Sequence, residues 1–563
     1  IYPLFLLVGQ RTIFPMIPPK VLVITGGLVD PADVKSLSFL GNLKKIISQI
    51  LVEKYLWLSL QVKFNFLEVL VKKYLEKRKI SDYSTGFQNY LFSKSNGNLP
   101  TLTEVVLGGL LSDEGLEYKT MSCSEIFSNP KKLSQYLGEC KVVFISSSLL
   151  HDLGELNLLT KILKKEENKV VVGGALAGAI HNTWDGSDYV DVLAIGYGEM
   201  LVPKLANWMK SGFTEFQNLK QGRVLQKEHT SFLYSGSPAT KDLDFLPTPN
   251  WKQAEEHHKR KFNMVYYESV RGCPYRCSFC NYPYLFDDSV FRYKSAAKIA
   301  MDWKKYKDEM GIEYITCLDS LFTMPRKRLV ELCHILIEED IKIKWICYAR
   351  ASDLVDEEIV KLMVKAGAYQ VHIGLESGDQ NILDNMNKKV KVEFNLRSIE
   401  NCRKYGLISI ASIIVGYPGE THTTLEKTYD SLLKSPPDFY FLAVFSTRIM
   451  DVPILNDNNR KRFDIKVMNN SFTMSPYWSH RTMDCSDAVN LARVLDHRIV
   501  QNKVSVNALP FYEGILDYRF DLRDEILTYQ KNMTFNYPKI TKIFNVLLKF
   551  ISFKLKRDLR RAF

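Results

Sequence analysis

Short apolar runs that end in small residues recur along the first part of the chain. Residues 20–27 (KVLVITGG) form the first such run, and residues 141–148, 169–178 and 190–199 form later ones. Runs of this length are typical of strands buried on both faces, and helical stretches separate them. Strands that alternate with helices, including a further strand at LEYKTMS, predict a doubly wound parallel sheet. We therefore expect a Rossmann-like α/β domain here.

A second series of alternating strand and helix patterns begins at about residue 263. Its six predicted strands are residues 264–270, 311–319, 342–350, 369–377, 408–416 and 438–446. Six such units predict a partial (β/α)6 barrel, whose chemistry is expected at the carboxyl ends of the strands.

The segment DLDFLPTPNWK contains two prolines and separates the two series, as an extended linker would. The predicted organisation is a first domain, a linker, a partial barrel and a mostly helical carboxy-terminal region with a basic tail, at residues 1–240, 241–252, 253–450 and 451–563.

An insertion interrupts the first domain at residues 31–100. It is mostly helical in pattern, apolar and basic, and its role cannot be inferred from its residues. The most apolar segment of the chain, residues 46–71, contains four charged residues, which leaves no uncharged stretch of the ~20 residues that a membrane span needs. The opening run, residues 1–8, is too short for a signal peptide and lacks its basic flank. We therefore expect neither a transmembrane span nor an export signal.

The composition fits a globular protein with more than one core, since 46% of its 563 residues are apolar and 25% are charged. Ten cysteines are too few for a disulfide scaffold in a chain of this size. Seven of them stand alone in apolar or helical surroundings. This pattern indicates a reducing compartment, and we expect a cytoplasmic protein.

Half of the net charge of +12 lies in residues 542–563, which hold seven Lys or Arg against one Asp. This tail is also rich in Phe and Leu. Two interpretations stay open: a terminal helix packed on its domain with a solvated basic face, or an amphipathic helix that makes a peripheral contact with an anionic membrane or a partner. A nucleic-acid-binding protein would spread its basic residues over an aromatic-rich face, so this distribution argues against a nucleic-acid partner.

Cys273, Cys277 and Cys280 follow the first predicted barrel strand with the spacing C-x3-C-x2-C. Three thiolates on one short loop can hold three irons of a [4Fe–4S] cluster and leave the fourth iron open. A structural zinc site requires four ligands, and the nearest spare candidates, His257 and His258, precede the intervening strand. The spacing therefore favours an iron–sulfur cluster.

This cysteine loop resembles the hallmark of the radical S-adenosylmethionine (SAM) superfamily, and the resemblance extends over residues 243–450. In that family the methionine part of SAM chelates the open iron, and an electron from the cluster cleaves the sulfonium to give a 5′-deoxyadenosyl radical. The resemblance implies that the three cysteines are the metal ligands and the catalytic centre. It also implies a reducing partner such as flavodoxin or ferredoxin.

The resemblance assigns further SAM contacts to two strand ends. Asp319 and Ser320 lie where this family commonly presents groups to the SAM ammonium, although Asp319 would serve equally well as a helix N-cap. Arg350 could pair with the SAM carboxylate as a planar bidentate donor, or it could bridge barrel loops.

Glu376 and Ser377 match the family segment that reaches the ribose. Residues 413–421 (IIVGYPGET) resemble the glycine motif that flanks the adenine, which assigns Gly416 to the cofactor site. Phe279, inside the cysteine loop, is expected to contribute an apolar contact to the same ring.

The first domain is similar to the cobalamin-binding domains fused ahead of radical SAM barrels. Ligands of such sheets bind outside the carboxyl ends of the strands, where small residues allow a flat cofactor to approach the backbone. The predicted corrin contacts are Ser146, Ser147, Ser148, Gly173, Gly174, Gly196, Gly198 and Glu199. The usual motif D-x-H-x-x-G, whose His ligates cobalt, is absent from residues 1–240, and neither His151 nor His181 lies in such a pattern. This departure is compatible with base-off cobalamin.

The commonest activity in this branch is methylation of an unactivated centre in a small molecule or peptide. One SAM would methylate cobalamin, and a second would generate the radical that removes a substrate hydrogen. The alternatives are cobalamin-dependent rearrangement, oxidation or cyclisation without net methylation, and an RNA-modifying enzyme. Methylthiolation generally needs a second cluster, and the first domain has only Cys123 and Cys140. A non-catalytic sensor or membrane-associated scaffold would not need three intact cluster cysteines.

Overall fold

The computed structural model of the chain contains two large, mostly parallel sheets and two small antiparallel ones in its described residues. It describes residues 19–27, 99–150, 153–214, 216, 221–447, 452–468, 477–508 and 523–535. The predicted insertion at 31–100, except its last two residues, lies outside the described residues, as do the basic tail and His151.

The first sheet has seven strands in the order β2-β1-β3-β4-β5-β7-β6, and only β6 runs antiparallel to its neighbour. The strands are β1 Val21–Thr25, β2 Tyr118–Ser122, β3 Val142–Ser146, β4 Lys169–Gly173, β5 Val192–Ile195, β6 Arg223–Lys227 and β7 Thr230–Tyr234. Every residue of β1, β3 and β5 is buried, as expected for strands covered on both faces.

Helices cover both faces of this sheet, with a separate hydrophobic cluster on each face. They are α1 Leu102–Asp113, α2 Cys123–Ser128, α3 Pro130–Glu139, α4 Leu153–Leu163, α5 Ala175–Ile180 and α6 Gly198–Lys210. The predicted doubly wound α/β fold is therefore confirmed. Two predicted strands were too long, because α5 begins directly after the paired glycines and α6 begins at Gly198. The β6–β7 hairpin was not predicted, because the outer strand β6 is polar and largely exposed.

The second large sheet is parallel throughout, in the order β19-β15-β14-β13-β12-β11-β8. The strands that follow the first sheet are β8 Met264–Tyr267, β9 Val270–Arg271, β10 Arg292–Tyr293, β11 Tyr314–Cys317, β12 Lys344–Arg350, β13 Ala368–Glu376, β14 Ile408–Val415, β15 Phe439–Val444, β16 Lys466–Met468, β17 Tyr477–His480, β18 Met483–Asp484 and β19 Val506–Asn507. Because β8 and β19 are not paired, the barrel is partial, as predicted.

Helices alternate with these strands along the chain. They are α7 Trp251–His258, α8 Ala296–Met310, α9 Arg326–Glu338, α10 Glu357–Lys365, α11 Gln380–Asn385, α12 Val392–Tyr405, α13 His422–Lys434, α14 Asp457–Phe463, α15 Cys485–Gln501 and α16 Arg523–Phe535. Alternate residues of β12 and β13, such as Cys347 and Ile373, belong to the core between sheet and helices. The residues between them therefore face the barrel interior.

The carboxy-terminal region adds a three-stranded antiparallel sheet, β16–β17–β18, to the predicted helices. Its central strand carries Trp478, which is fully buried and donates its indole N–H to the carbonyl of Phe445 at 3.0 Å. This small sheet was not predicted, because its strands are two to four residues long. None of the helices in the described part of the chain is long and apolar enough to cross a membrane.

The turn after β14 buries a carboxyl group. Gly416 has a φ of +83° and donates its N–H to Glu420, while the His480 imidazole donates to the Gly416 carbonyl at 3.1 Å. The other Glu420 oxygen, Oε1, has no hydrogen-bond partner within the described residues, and the side chain is fully buried. Burial raises the pKa of Glu420 to about 8.

The segment that follows Cys280 packs against the first sheet and its helices. The 3-10 turn Tyr282–Tyr284 leads to Leu285, whose carbonyl oxygen lies 2.4 Å from the position that a Cβ on Gly178 of α5 would take. Asp287 accepts the N–H of Gly236 at 3.0 Å. The contact between this segment and α5 therefore depends on Gly178, which has no side chain.

We expect Gly178→Ala to destabilise the protein by about 1–3 kcal/mol, because the new methyl group would collide with the Leu285 carbonyl. The measurement is the urea concentration at half-unfolding. Gly138→Ala in α3 is the matched control, since a Cβ there meets no atom within 4 Å. The control should be neutral or slightly stabilising, because Ala is favoured over Gly in helices. Equal midpoints for the two variants would contradict the close contact.

The Glu420 carboxyl should make stability depend on pH. Because its folded pKa is raised, the stability that it contributes is fully present below its unfolded pKa of about 4.3 and is lost as the pH rises through about 8. We expect Glu420→Gln, which can still accept the Gly416 N–H, to melt at a higher temperature than the wild type at pH 9 but not at pH 5. Differential scanning calorimetry across this range tests the expectation. Glu331→Gln, at an exposed position, is the control and should change the melting temperature at neither pH.

Candidate active site

The cysteine loop leaves the barrel after β9 and returns at β10, and these two strands pair with each other. Gly272 begins the loop with a φ of +73°, and a Cβ there would lie 2.5 Å from the Val290 carbonyl oxygen. Within the loop Cys277 is buried, whereas Cys273 and Cys280 are partly exposed. The three predicted ligands therefore lie on one segment whose two ends are held together.

The thiols are in an environment that disfavours free thiolates. Burial, reinforced by the neighbouring Cys277, raises the pKa of Cys273 and raises that of Cys280 to about 12. Among the described residues, no three potential ligand side chains lie as close together as a single bound metal ion requires. The cysteines of an iron–sulfur cluster bind separate irons and need not converge on one point. The thiols would give up their protons on binding such a cluster.

Backbone and side-chain contacts hold the middle of the loop. Ser278 donates its N–H to the Met386 carbonyl at 2.8 Å, and its hydroxyl lies 2.6 Å from that of Tyr417. The next residue, Phe279, packs edge-on against Tyr417 with ring centroids 6.3 Å apart. The loop is thereby fixed against the segment after β13 and the turn after β14. Phe279 thus lies beside the residue that follows Gly416, as its predicted role requires.

Arg350 lies directly against the cysteine loop. Its Nη1 is 3.6 Å from the sulfur of Cys277, and its guanidinium carbon is 3.7 Å from the Tyr275 ring centroid. A second nitrogen donates to the Lys388 carbonyl, whereas Nε has no partner within the described residues. Arg350 is buried, so its positive charge acts on the thiols with little screening by water.

Glu376 ends β13 with a φ of +63°. Its carboxylate accepts a hydrogen bond from the Lys388 ammonium at 2.7 Å, and both side chains are buried. A Cβ on Gly374 would lie 2.3 Å from the same carboxylate oxygen, so the absence of a side chain there makes room for the ion pair. Lys388 therefore links the two side chains, since its ammonium donates to Glu376 and its carbonyl accepts from Arg350. A contact of Glu376 or Arg350 with SAM stays a prediction.

Lys388 was missed by the sequence reasoning, because it lies among Lys389 and Lys391 in what looks like a solvated basic stretch. The positive φ values of Asn387 and Lys389 turn the backbone sharply on both sides of Lys388. Of these three lysines, only Lys388 is buried. This geometry depends on tertiary contacts and has no local sequence signal.

Asp319 and Ser320 hold the start of the cysteine loop. The Asp319 carboxylate accepts the N–H groups of Ser269 and Val270 and the Ser269 hydroxyl, at 2.6 to 2.8 Å. The side chain is buried, and burial raises its pKa to about 6. Ser320 donates its hydroxyl to the Gly272 carbonyl at 3.0 Å. A contact of either residue with SAM stays a prediction.

Ser377 and Gly416 are committed to packing in this structure. The Ser377 hydroxyl accepts the Asp379 N–H at 3.1 Å and lies 3.3 Å from that of Thr428. A Cβ on Gly416 would lie 2.3 Å from the Cβ of Ala488, so α15 covers this glycine. Their predicted contacts with ribose and adenine therefore stay predictions.

A polar pair lies deeper in the barrel interior. The Gln370 amide donates to the His372 imidazole at 2.9 Å, and the His372 ring lies 4.6 Å from that of Tyr348. Burial lowers the pKa of His372 to about 4, so the imidazole is neutral at pH 7. The strand register places Tyr348 and His372 about 7 Å below Arg350 and Gly374.

This pair was also missed, although a signal was present. In the strand YQVHIGLE, Gln370 and His372 alternate with apolar residues, so both fall on the interior face. The side-chain amide oxygen of Gln370, Oε1, is buried and has no hydrogen-bond partner in the described part of the chain. An acceptor left unsatisfied in this way suits a ligand that donates a hydrogen bond.

The predicted cobalamin contacts divide into exposed and structural residues. The Ser147 hydroxyl donates to the Gly173 carbonyl at 2.7 Å, accepts the Ala177 N–H at 3.1 Å and is fully buried. Ser146 is also buried, whereas Ser148 is exposed at the sheet edge. Ser148 Oγ lies 2.6 Å from the position of a Cβ on Gly174, whose φ is +101°.

The same division holds at the end of β5. A Cβ on Gly196 would lie 2.2 Å from Ser235 Oγ, whereas a Cβ on Gly198 would meet open space. Glu199 forms a buried ion pair with Arg271 of β9, next to the cysteine loop. Glycines at these strand ends leave a shallow edge that suits a flat ligand. Cobalamin binding at this edge of the first sheet stays a prediction.

Residues 267–432 match the radical SAM superfamily. Among curated proteins, the chain is 28% identical over 297 residues to an anaerobic magnesium-protoporphyrin IX monomethyl ester cyclase of Rubrivivax gelatinosus, covering 50% of this chain and 53% of that protein. It is 25% identical over 277 residues to an uncharacterized methyltransferase of Pyrococcus horikoshii, covering 48% of this chain and 59% of that protein. The chain therefore spans little more than half the length of these relatives.

Two solved structures with a similar fold are of radical SAM enzymes that bind cobalamin. The cobalamin-bound structure of OxsB matches with a TM-score of 0.57 and 16% identity, over 82% of this chain and 78% of that one. The methyltransferase TsrM from Kitasatospora setae, with tryptophan and a SAM analogue bound, matches with a TM-score of 0.53 and 17% identity, over 67% of this chain and 77% of that one. Residues 267–432 of the chain thus match the radical SAM superfamily, and the fold of the chain is similar to that of cobalamin-dependent enzymes of this superfamily.

Proposed function

We propose that the chain is a cobalamin-dependent radical SAM methyltransferase that acts on a small molecule or peptide. The observation that carries this proposal is the cysteine loop, which lies against Arg350 and the Glu376–Lys388 pair at the mouth of a barrel that packs beside a glycine-edged parallel sheet. When bound, the cluster would supply the electron, SAM the radical and the methyl group, and cobalamin the methyl carrier.

The protein's own residues would bind and shield these groups. Cys273, Cys277 and Cys280 would ligate the cluster. Arg350 would offset the negative charge of the thiolates, and its guanidinium would also pair with the SAM carboxylate. Glu376 would accept hydrogen bonds from the ribose hydroxyls, with Lys388 keeping the buried carboxylate paired.

The substrate would enter the barrel interior above the Gln370–His372 pair. The unsatisfied Gln370 oxygen favours a substrate with a hydroxyl or amide N–H group, which could donate to it. The tryptophan in the TsrM structure is a precedent for a small-molecule substrate. A reducing partner such as flavodoxin or ferredoxin remains part of the proposal.

A second candidate is cyclisation without net methylation. Three of the curated relatives are magnesium-protoporphyrin IX monomethyl ester cyclases, and two of these are 25% and 28% identical to the chain. The same cofactors and the same site residues would serve either reaction, so the product distinguishes the two.

Replacing any one of Cys273, Cys277 and Cys280 with alanine should abolish or strongly reduce the iron bound after anaerobic reconstitution, because the cluster would lose one of three protein ligands. Iron analysis and electron paramagnetic resonance (EPR) of the reduced protein measure this loss. Cys333→Ala is the control, since Cys333 is buried in the core behind the sheet and should not affect iron content. Full iron in all four variants would refute the cluster assignment.

Methyl transfer can be followed in a mixture of candidate substrates. The full chain is reconstituted with iron, sulfide and hydroxocobalamin, supplied with deuterated-methyl SAM and a reductant, and incubated with pooled cell metabolites and peptides. We expect a product heavier by a labelled methyl group, together with 5′-deoxyadenosine, in mass spectra. 5′-Deoxyadenosine without a labelled product would favour the cyclase alternative, and neither species would contradict both.

A further inference from the structure

One buried ion pair connects the first sheet to the cysteine loop. The Arg271 guanidinium in β9 donates to both carboxylate oxygens of Glu199 in α6, at 2.8 and 2.7 Å. Both side chains are more than nine-tenths buried. A two-pronged contact of this kind fixes the direction of both side chains as well as their distance.

The surroundings of Arg271 show that this contact is a built feature. Glu268, in the link between β8 and β9, accepts from two guanidinium nitrogens at 3.0 and 2.8 Å. The rings of Tyr197 and Phe286 lie 5.2 and 5.5 Å from the guanidinium carbon. Although burial alone would raise the pKa of Glu199, the adjacent Arg271 lowers it, so the carboxylate stays ionised.

The pair joins the two predicted cofactor sites by a short path. Glu199 is the next residue after Gly198, a predicted corrin contact at which an added Cβ would meet no atom within 4 Å. Arg271 precedes the first cluster ligand, Cys273, by one glycine. Two side chains and a few backbone bonds therefore connect the two predicted sites.

Glu199 was predicted to contact the corrin directly, but its hydrogen bonds indicate a different role. Both of its oxygens are already used by Arg271, and little of the side chain is exposed. Because both of its oxygens are hydrogen-bonded to Arg271, Glu199 would influence a neighbouring ligand through Arg271.

We propose that Glu199 and Arg271 are positioning residues that set the separation and orientation of the cluster relative to cobalamin. This inference rests on the proposed function, since it requires both cofactors. Glu268 balances charge around Arg271 but belongs to the barrel side, so it does not connect the two sheets.

Glu199 and Glu268 both pair with Arg271, but only Glu199 belongs to the first sheet's helices. Replacing each of them in turn therefore gives a matched pair of variants. Glu199→Gln removes the charge that links the sheets and leaves Arg271 paired with Glu268, so no buried cation is abandoned. Glu268→Gln removes a carboxylate from the same guanidinium without breaking the link. Arg271→Lys keeps the positive charge but cannot reproduce the two-pronged contact, and it serves as a second test of the link.

The measurement is the distance distribution between the reduced cluster and cob(II)alamin, obtained by pulsed dipolar EPR on the full chain reconstituted with iron, sulfide and hydroxocobalamin. We expect one narrow distribution in the wild type and in Glu268→Gln. Glu199→Gln and Arg271→Lys should give a broader distribution with a shifted maximum, while still binding both cofactors.

Several results would overturn the inference. A wild-type distribution in Glu199→Gln would show that the link does not position the cofactors, and equal broadening in Glu199→Gln and Glu268→Gln would assign the effect to Arg271 alone. Loss of cobalamin from Glu199→Gln with its cluster intact would make Glu199 a direct ligand contact. Failure of the wild type itself to bind hydroxocobalamin would instead remove the proposed function on which the inference depends.

Discussion

Buried charge constrains much of the candidate site. An isolated ion in a protein interior costs several kcal/mol, so each one must have a partner of opposite charge or a full set of hydrogen bonds. Lys388 is paired with Glu376, Arg271 with Glu199 and Glu268, and the Asp319 carboxylate accepts three hydrogen bonds. The thiols of Cys273 and Cys280 differ, because burial favours their neutral form, whereas a bound cluster would favour the charged one.

This arrangement explains why so many predicted ligand contacts also have structural partners. Asp319, Ser147 and Glu199 lie at strand ends where a cofactor is expected, yet each is already hydrogen-bonded to protein. Groups that hold a loop in place can define the shape of a site without touching its ligand. Ser148, which is exposed, and Gly198, where an added Cβ would meet no atom within 4 Å, are better placed for direct contact.

Much of the fold could be predicted from the sequence, because continuous apolar strands and regular helix spacing are local signals. The cysteine loop was equally visible, since its three ligands lie within eight residues. Lys388 could not be recognised, because its burial depends on a turn that brings it back to Glu376. The small sheet β16–β18 was missed because strands of two to four residues carry no usable periodicity.

The pairing of β9 with β10 places the entry and exit of the cysteine loop side by side. The half of the loop beyond Cys280 can therefore vary in length or composition while the two anchoring strands keep the cysteines in register with the barrel. That half also contains Leu285 and Asp287, which contact the first sheet. A change in this segment would thus alter the fit between the cysteine loop and the first sheet without altering the predicted cluster ligands.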